Sequence, residues 1–406
     1  MKEIILSVNI RLVCFFYNLV KNIEISIILG KEDIKMKFFL KQYVKMFVQN
    51  FLLPIIYKIY SRKPIDNNLV VFADAHNYDI PYSMKLMKEK ISQRGFHIEE
   101  CYTDYQSGLY IKIIYEMIRF MKLYARAKYV FICDNFLPVS SCNKRIETVV
   151  IQLWHAGGIL KKFAYDTNDD IPSYYKGNVF KNYDIVTVSD KCCIPIYESA
   201  MKLKRDIIRP TGLSRTDYLF SHSYKDNCYK LFYEKHPEVK GKKIALWAPT
   251  FRGKANNPFI LGKEYIDKLK DDLGNEWFVI TKAHPHLDAK EHISDSDIST
   301  EELLPIVDIL ITDYSSIIFD YALLNKPLIL FVPDYYEYVQ TRGFYIPYKS
   351  IPGRIVKKGE DLYKDLLSEY NNFNSEKMVQ FSNKYMGSCD GNSTEKIINI
   401  LLNEFK

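Results

Sequence analysis

The sequence is poor in several things that would have decided its class at once. Its eight cysteines (Cys14, Cys101, Cys133, Cys142, Cys192, Cys193, Cys228 and Cys389) include no Cys-x-x-Cys pair and no Cys/His spacing of a zinc site, which argues against a disulfide scaffold and points to reduced thiols in an intracellular chain. Its longest uncharged runs near the N-terminus, Leu12–Val20 and Met46–Tyr57, fall short of the roughly 18 to 20 apolar residues that span a bilayer, so no transmembrane helix is expected. A cleavable signal pattern, internal repeats and low-complexity tracts are also missing. There is no Walker A loop, GxGxxG, GxSxG or HExxH, which removes the main support for P-loop hydrolases, dinucleotide dehydrogenases, serine esterases and zincins.

Charge excess is lacking as well, except at one end. Lys and Arg number 56 against 49 Asp and Glu over 406 residues; residues 1 to 63 hold eleven of the former and four of the latter, and the remaining 343 are balanced. A uniformly basic nucleic-acid binder is therefore not expected, and the positive charge acts at the N-terminus. With 48% hydrophobic and 26% charged residues, the chain has the balance of a globular protein and the length for two medium-sized domains.

The basic end has a pattern. Residues 35–48 bring Phe38, Phe39, Tyr43, Met46 and Phe47 together at three- and four-residue spacing, with Lys37, Lys41 and Lys45 in a basic line. A helix lying in a membrane interface has this composition, and each Lys near an anionic leaflet contributes about 1 kcal/mol. The alternative is a basic helical hairpin packed on the protein's own core.

From Asn67 onward short, continuously apolar runs alternate with helical stretches: Leu69–Ala73, Tyr129–Cys133, Thr148–Leu153, Ile185–Val188 and Ile207-Ile208, then, after a polar stretch at 216–241, Ile244–Ala248, Trp277–Ile280, Asp308–Thr312 and Pro327–Phe331. Continuous apolar character marks strands covered on both faces, as in parallel sheets. The expected fold is α/β, with two tandem Rossmann-like domains following an amphipathic helical segment: residues 1–65, 66–225 and 226–406. In such sheets ligands sit beyond the carboxyl ends of the strands, so the residues after each run are the ones to inspect.

Trp154-His155-Ala156-Gly157-Gly158, followed by Lys161 and Lys162, ends one run; a histidine there can act as a base, and paired glycines allow close backbone approach. Lys282, His284 and His286 follow another, where a metal site lacks an accompanying carboxylate or cysteine cluster. Asp313, Ser315 and Ser316 open a helical stretch containing Asp320, a pattern that suits both helix capping and a diphosphate. Thr250 and Arg252, Gly212 with Arg215 and Asp217, and Arg342 complete the set. Arg252 and Arg342 could neutralise phosphates, and Arg215 with Asp217 equally suits a structural ion pair.

The order of these pieces is more specific than any one of them. Trp-His with small residues and Lys-Lys, Gly-x-x-Arg-x-Asp, Ala-Pro-Thr-Phe-Arg, Lys-x-His-Pro, Thr-Asp-Tyr-Ser-Ser-x-x-Phe-Asp, Arg-Gly-Phe and Asp390-Gly391-Asn392-Ser393 together resemble the CDP-glycerol glycerophosphotransferase family of teichoic acid synthesis, over about residues 148 to 400. The resemblance implies a two-Rossmann GT-B-type fold at the cytoplasmic face of the bacterial membrane. It implies transfer of a polyol phosphate from CDP-glycerol or CDP-ribitol to a polyprenyl-diphosphate-linked acceptor or growing chain, of teichoic acid or a related capsular polymer. His155 would be the base for the acceptor hydroxyl and His284 the contact to the donor phosphate. Ser315 and Ser316 would hold the diphosphate, framed by Asp313 and Asp320, with Arg252 near the nucleotide and Thr250, Arg342 and Asp390 as further donor-side positions. No cofactor is required and a divalent cation is compatible. This chain carries Trp-His-Ala-Gly-Gly where the family commonly has Trp-His-Gly-Thr.

Two rival functions remain at this level. A nucleotide-sugar glycosyltransferase on the same fold often carries Glu-x7-Glu, whereas this chain has Asp313-x6-Asp320. A non-catalytic membrane-surface scaffold would have no need of both histidines.

Overall fold

The computed structural model describes Tyr43 and residues 45–105, 110–167, 170–171, 177–254, 257–283 and 294–405. Two compact units emerge: the first comprises residues 1–155, 172–186 and 398–406, the second 156–171 and 187–397.

The first unit is built on parallel strands β1 (Asp66–Asp74), β2 (His97–Tyr102), β3 (Ala127–Ile132), β4 (Val149–Gln152) and β5 (Ile185–Thr187), which pair in the order β2-β1-β3-β4-β5. Val70, Tyr129 and Val149 face one another across β1, β3 and β4. From Leu69 onward every residue of β1 is buried, and so is all of β4, the continuous burial of a sheet covered on both faces. Helices Leu53–Tyr60 and Tyr110–Tyr124 pack together, and Tyr57 stacks edge-on against Tyr124 at 5.1 Å. The Tyr57 hydroxyl accepts from Arg145 N at 2.9 Å.

The second unit adds the two-residue β6 (Ile208–Arg209), an antiparallel hairpin of β8 (Arg252–Lys254) and β9 (Asn257–Phe259), and a five-stranded parallel sheet. That sheet contains β7 (Lys243–Ala248), β10 (Trp277–Thr281), β11 (Ile309–Thr312), β12 (Leu328–Phe331) and β13 (Arg354–Val356) in the order β10-β7-β11-β12-β13. Trp247, Ile311 and Ile329 sit in register on β7, β11 and β12, and with Ile266, Leu269 and Leu366 from the covering helices they form one face of the core. A buried cluster of this kind is where the burial of apolar area stabilises the fold most.

Each of the nine expected runs coincides at least in part with a strand, with ends shifted by up to three residues and Ile207 falling in the 3-10 turn before β6. Strands β2 and β13 and the β8–β9 hairpin were not expected. β2 and β13 are edges, half-buried and carrying Glu99, Glu100 and Arg354, and charged edges lack the apolar signal of central strands. The segment 35–48 lies outside the described residues apart from Tyr43 and 45–48. The seven described cysteines are all free. No helix among the described residues is long and apolar enough to cross a membrane.

Candidate active site

In the first unit β4 ends at Gln152, and the chain turns sharply. Gln152 Oε1 accepts from Trp154 N at 3.0 Å, and its amide donates to the Asp134 carbonyl at 2.9 Å. Trp154 takes a left-handed backbone conformation, φ 58°, a conformation that costs about 1 kcal/mol or more for a non-glycine residue and is found where a neighbour must be aimed. The neighbour is His155. Its ring lies against Trp154, with centroids 4.7 Å apart, and its side chain is 49% exposed. Nδ1 is 3.3 Å from the Cys133 carbonyl and 3.5 Å from a carboxylate oxygen of Asp134. A hydrogen on Nδ1 directed at these acceptors selects the tautomer in which Nε2 carries the lone pair, the form a general base requires.

The second unit gathers a different cluster beyond the carboxyl ends of β7, β11 and β12, which supply Thr250 and Arg252, Asp313, and Asp334. Asp313 accepts from Thr250 N and Oγ1, both at 2.9 Å, and from Tyr314 N at 2.6 Å. Arg252 donates to Asp334 through Nε at 2.6 Å, lies 3.0 Å from Asp313, and donates to the Thr250 carbonyl and hydroxyl at 2.9 and 2.8 Å. Its guanidinium also faces the rings of Tyr314 and Tyr338, which stack on each other at 3.7 Å. Burial pushes Asp334 up, yet pairing with Arg252 holds it below the usual carboxylate range. The Arg252 guanidinium is thus shared between two carboxylates and set in an aromatic frame, a rigid structural use of the residue.

The remaining expected residues divide. Gly157 and Gly158 owe their identity to packing: a Cβ on Gly158, φ 59°, would lie 2.2 Å from the Phe319 ring, and one on Gly157 would lie 2.9 Å from Met386. Asp320 pairs with Arg215. Asp217 accepts from Ser393 N, Thr394 N and Thr394 Oγ1 at 2.7 to 3.0 Å, capping the helix Ser393–Glu404. Arg215 and Asp217 thus each tie their turn to a distant segment, Arg215 to Asp320 and Asp217 to the helix start at Thr394. Ser315 Oγ accepts from Ile317 N at 3.3 Å, while Ser316 makes no side-chain cap to the helix Ile317–Ala322. Arg342 pairs with Asp170 at 3.0 Å. Asp390 is exposed and held by Lys396 at 2.8 Å. His284 and His286 lie outside the described residues, and among the described residues no group of three or more His, Cys, Asp or Glu is placed to hold a metal ion.

Residues 55–403 match the family described as CDP-Glycerol:Poly(glycerophosphate) glycerophosphotransferase. The chain belongs to this glycerophosphotransferase family. It is 32% identical over 365 residues to a teichoic acid ribitol-phosphate primase of Bacillus spizizenii, covering 85% of this chain and 94% of that protein. It is 31% identical over 358 residues to a teichoic acid poly(ribitol-phosphate) polymerase of the same organism, covering 84% of this chain and 57% of the polymerase, so it spans little more than half of that relative. Among solved structures, the wall teichoic acid polymerase TagF superposes with a TM-score of 0.70 at 21% identity, over 90% of this chain and 98% of that one. That likeness is one of fold: α/β with parallel sheets.

Within this glycerophosphotransferase chain, sequence reasoning did not single out Asp134 and Asp334. A signal existed for both. Asp134 follows the apolar run Tyr129–Cys133 and Asp334 follows Pro327–Phe331 by three residues, the strand-end positions where ligands bind.

Proposed function

We propose that this chain transfers glycerol phosphate or ribitol phosphate from a CDP-polyol to the hydroxyl of a lipid-linked acceptor or growing chain in teichoic acid or capsular polymer synthesis, releasing CMP. The observation that carries this reading is His155, with Nδ1 facing Asp134 and the Cys133 carbonyl, in a chain that matches the family over residues 55–403. In the reaction the acceptor oxygen attacks the β-phosphorus, its proton passes to His155 Nε2, and the bond from that phosphorus to the bridging oxygen breaks, so that CMP departs with the electron pair. A positioned base contributes about 10²- to 10⁴-fold. The Ser315 and Ser316 hydroxyls and His284 meet the donor's phosphates, stabilising the charge that grows on CMP.

The two parallel sheets support a tandem Rossmann-like, GT-B-type reading, with 66–225 as acceptor domain and 226–406 as CDP-donor domain. Attachment to the cytoplasmic membrane face is supported by Tyr43, Phe47, Phe51, Ile55 and Ile59, five large apolar residues at four-residue spacing that are all exposed. Exposed Lys45, Lys58 and Lys63 lie along the same stretch, and such a combination favours an anionic surface.

The test is CMP release from purified protein given CDP-glycerol or CDP-ribitol with a lipid-linked disaccharide or a glycerophosphate-primed acceptor. Release that needs an acceptor and disappears in His155→Ala supports the reading; silence with both donors and both acceptors removes it.

A further inference from the structure

The donor-side cluster contains a cation that its own carboxylates do not claim. Lys161 is clamped through its backbone: it bridges Phe344 in antiparallel fashion, Lys162 N donates to the Gly343 carbonyl at 3.2 Å, and Tyr345 N donates to the Leu160 carbonyl at 2.9 Å. This places its half-buried side chain among Asp313, Arg342, Arg252 and Asp170. Arg252 is spent on Asp313 and Asp334, and Asp170 is spent on Arg342. The Lys161 ammonium has no ion-pair partner among the described residues, and beside it the buried Arg342 Nε lacks an acceptor among them. Two neighbouring donors without acceptors, at the strand-end face where this fold takes its ligand, call for an anion with several oxygens.

Building on the CDP-polyol reading above, we propose that the Lys161 ammonium, rather than the Arg252 guanidinium, is the cation that holds the donor's diphosphate, with Arg342 Nε as a second donor. Burial pushes the Lys161 ammonium down to about 8; Asp313 and Asp170 pull it up, and Arg342 and Arg252 push it further down. Among the charged groups around it the arginines stay protonated throughout; Tyr338, which shares Asp313, Arg252 and Arg342 as neighbours, is raised by burial to about 12. Lys161 is then the group that loses its charge between pH 7.5 and 9.5.

The experiment is calorimetric binding of CDP, with cytidine as the control that lacks phosphate, to wild type, Lys161→Gln and Lys161→Arg at pH 7.5, 8.5 and 9.5. Wild type should bind CDP more weakly as pH rises through about 8. K161Q should lose about tenfold or more in CDP affinity at pH 7.5, the worth of a charge-assisted hydrogen bond, with cytidine binding unchanged. K161R should retain CDP and lose the pH dependence. If K161Q does not fold, the wild-type pH series and K161R decide the matter between them. CDP binding that is independent of pH, or that survives in K161Q, overturns the assignment alone. Failure of wild type to bind CDP at any pH overturns the donor reading and the assignment with it.

Discussion

Asp134 stands 3.5 Å from Nδ1 of His155, a carboxylate behind an imidazole, contributed by the end of the neighbouring strand. The two residues lie beyond β3 and β4, whose register fixes them side by side. Orientation by a carboxylate is what turns an exposed histidine from a flexible ring into a directed base.

Removing the base and removing its orienting group should differ. His155→Ala should lower CMP release about 10²- to 10⁴-fold. Asp134→Asn should lower kcat about tenfold or more while leaving donor KM within about twofold. Equal kcat for Asp134→Asn and wild type would make Asp134 a bystander.

Gly158→Ala should destabilise the protein by about 2 to 4 kcal/mol, because the new methyl enters the Phe319 ring and the backbone is left-handed. Denaturant unfolding measures this. Phe319→Leu in the same chain should recover part of the loss by making room, and no change in the unfolding midpoint for Gly158→Ala alone would contradict the packing account.

Arg252→Met strips the partner from Asp313 and Asp334 at once and should cost about 3 to 5 kcal/mol at neutral pH. The sign with pH follows from Asp334. Its folded-state pKa is depressed by Arg252, so its contribution is complete above the unfolded carboxylate value near 3.9 and is lost as pH falls through the folded value. Urea midpoints between pH 2.5 and 6 should fall less steeply in Asp334→Asn than in wild type.

Phe51→Ser with Ile55→Ser alters two exposed side chains and should leave thermal unfolding nearly unchanged. Co-sedimentation with phosphatidylglycerol vesicles should drop severalfold. Full retention on the vesicles would assign the apolar stripe another partner.

The central strands were legible because β1, β4, β11 and β12 are sealed on both faces, and such strands leave continuous apolar runs. β2, reading His-Ile-Glu-Glu-Cys-Tyr, was not, because an edge strand can expose its charges. His155 and the Ser315-Ser316 turn were legible as strand-end residues. The structural uses of Arg252 and Arg215 were hidden, since their partners Asp334 and Asp320 stand 82 and 105 residues away, and no local pattern couples residues at such distances. The paired glycines were legible as a close approach, but only the coordinates name Phe319 and Met386 as what is approached.

The cap that Asp217 places on Thr394 spans 177 residues of chain. At roughly 5 to 20 residues per second of synthesis, Asp217 waits about 10 to 35 seconds for the helix it caps to be made. The second unit thus cannot complete this tie during most of its own translation, and a nascent chain halted before residue 393 would carry an uncapped, unlatched intermediate.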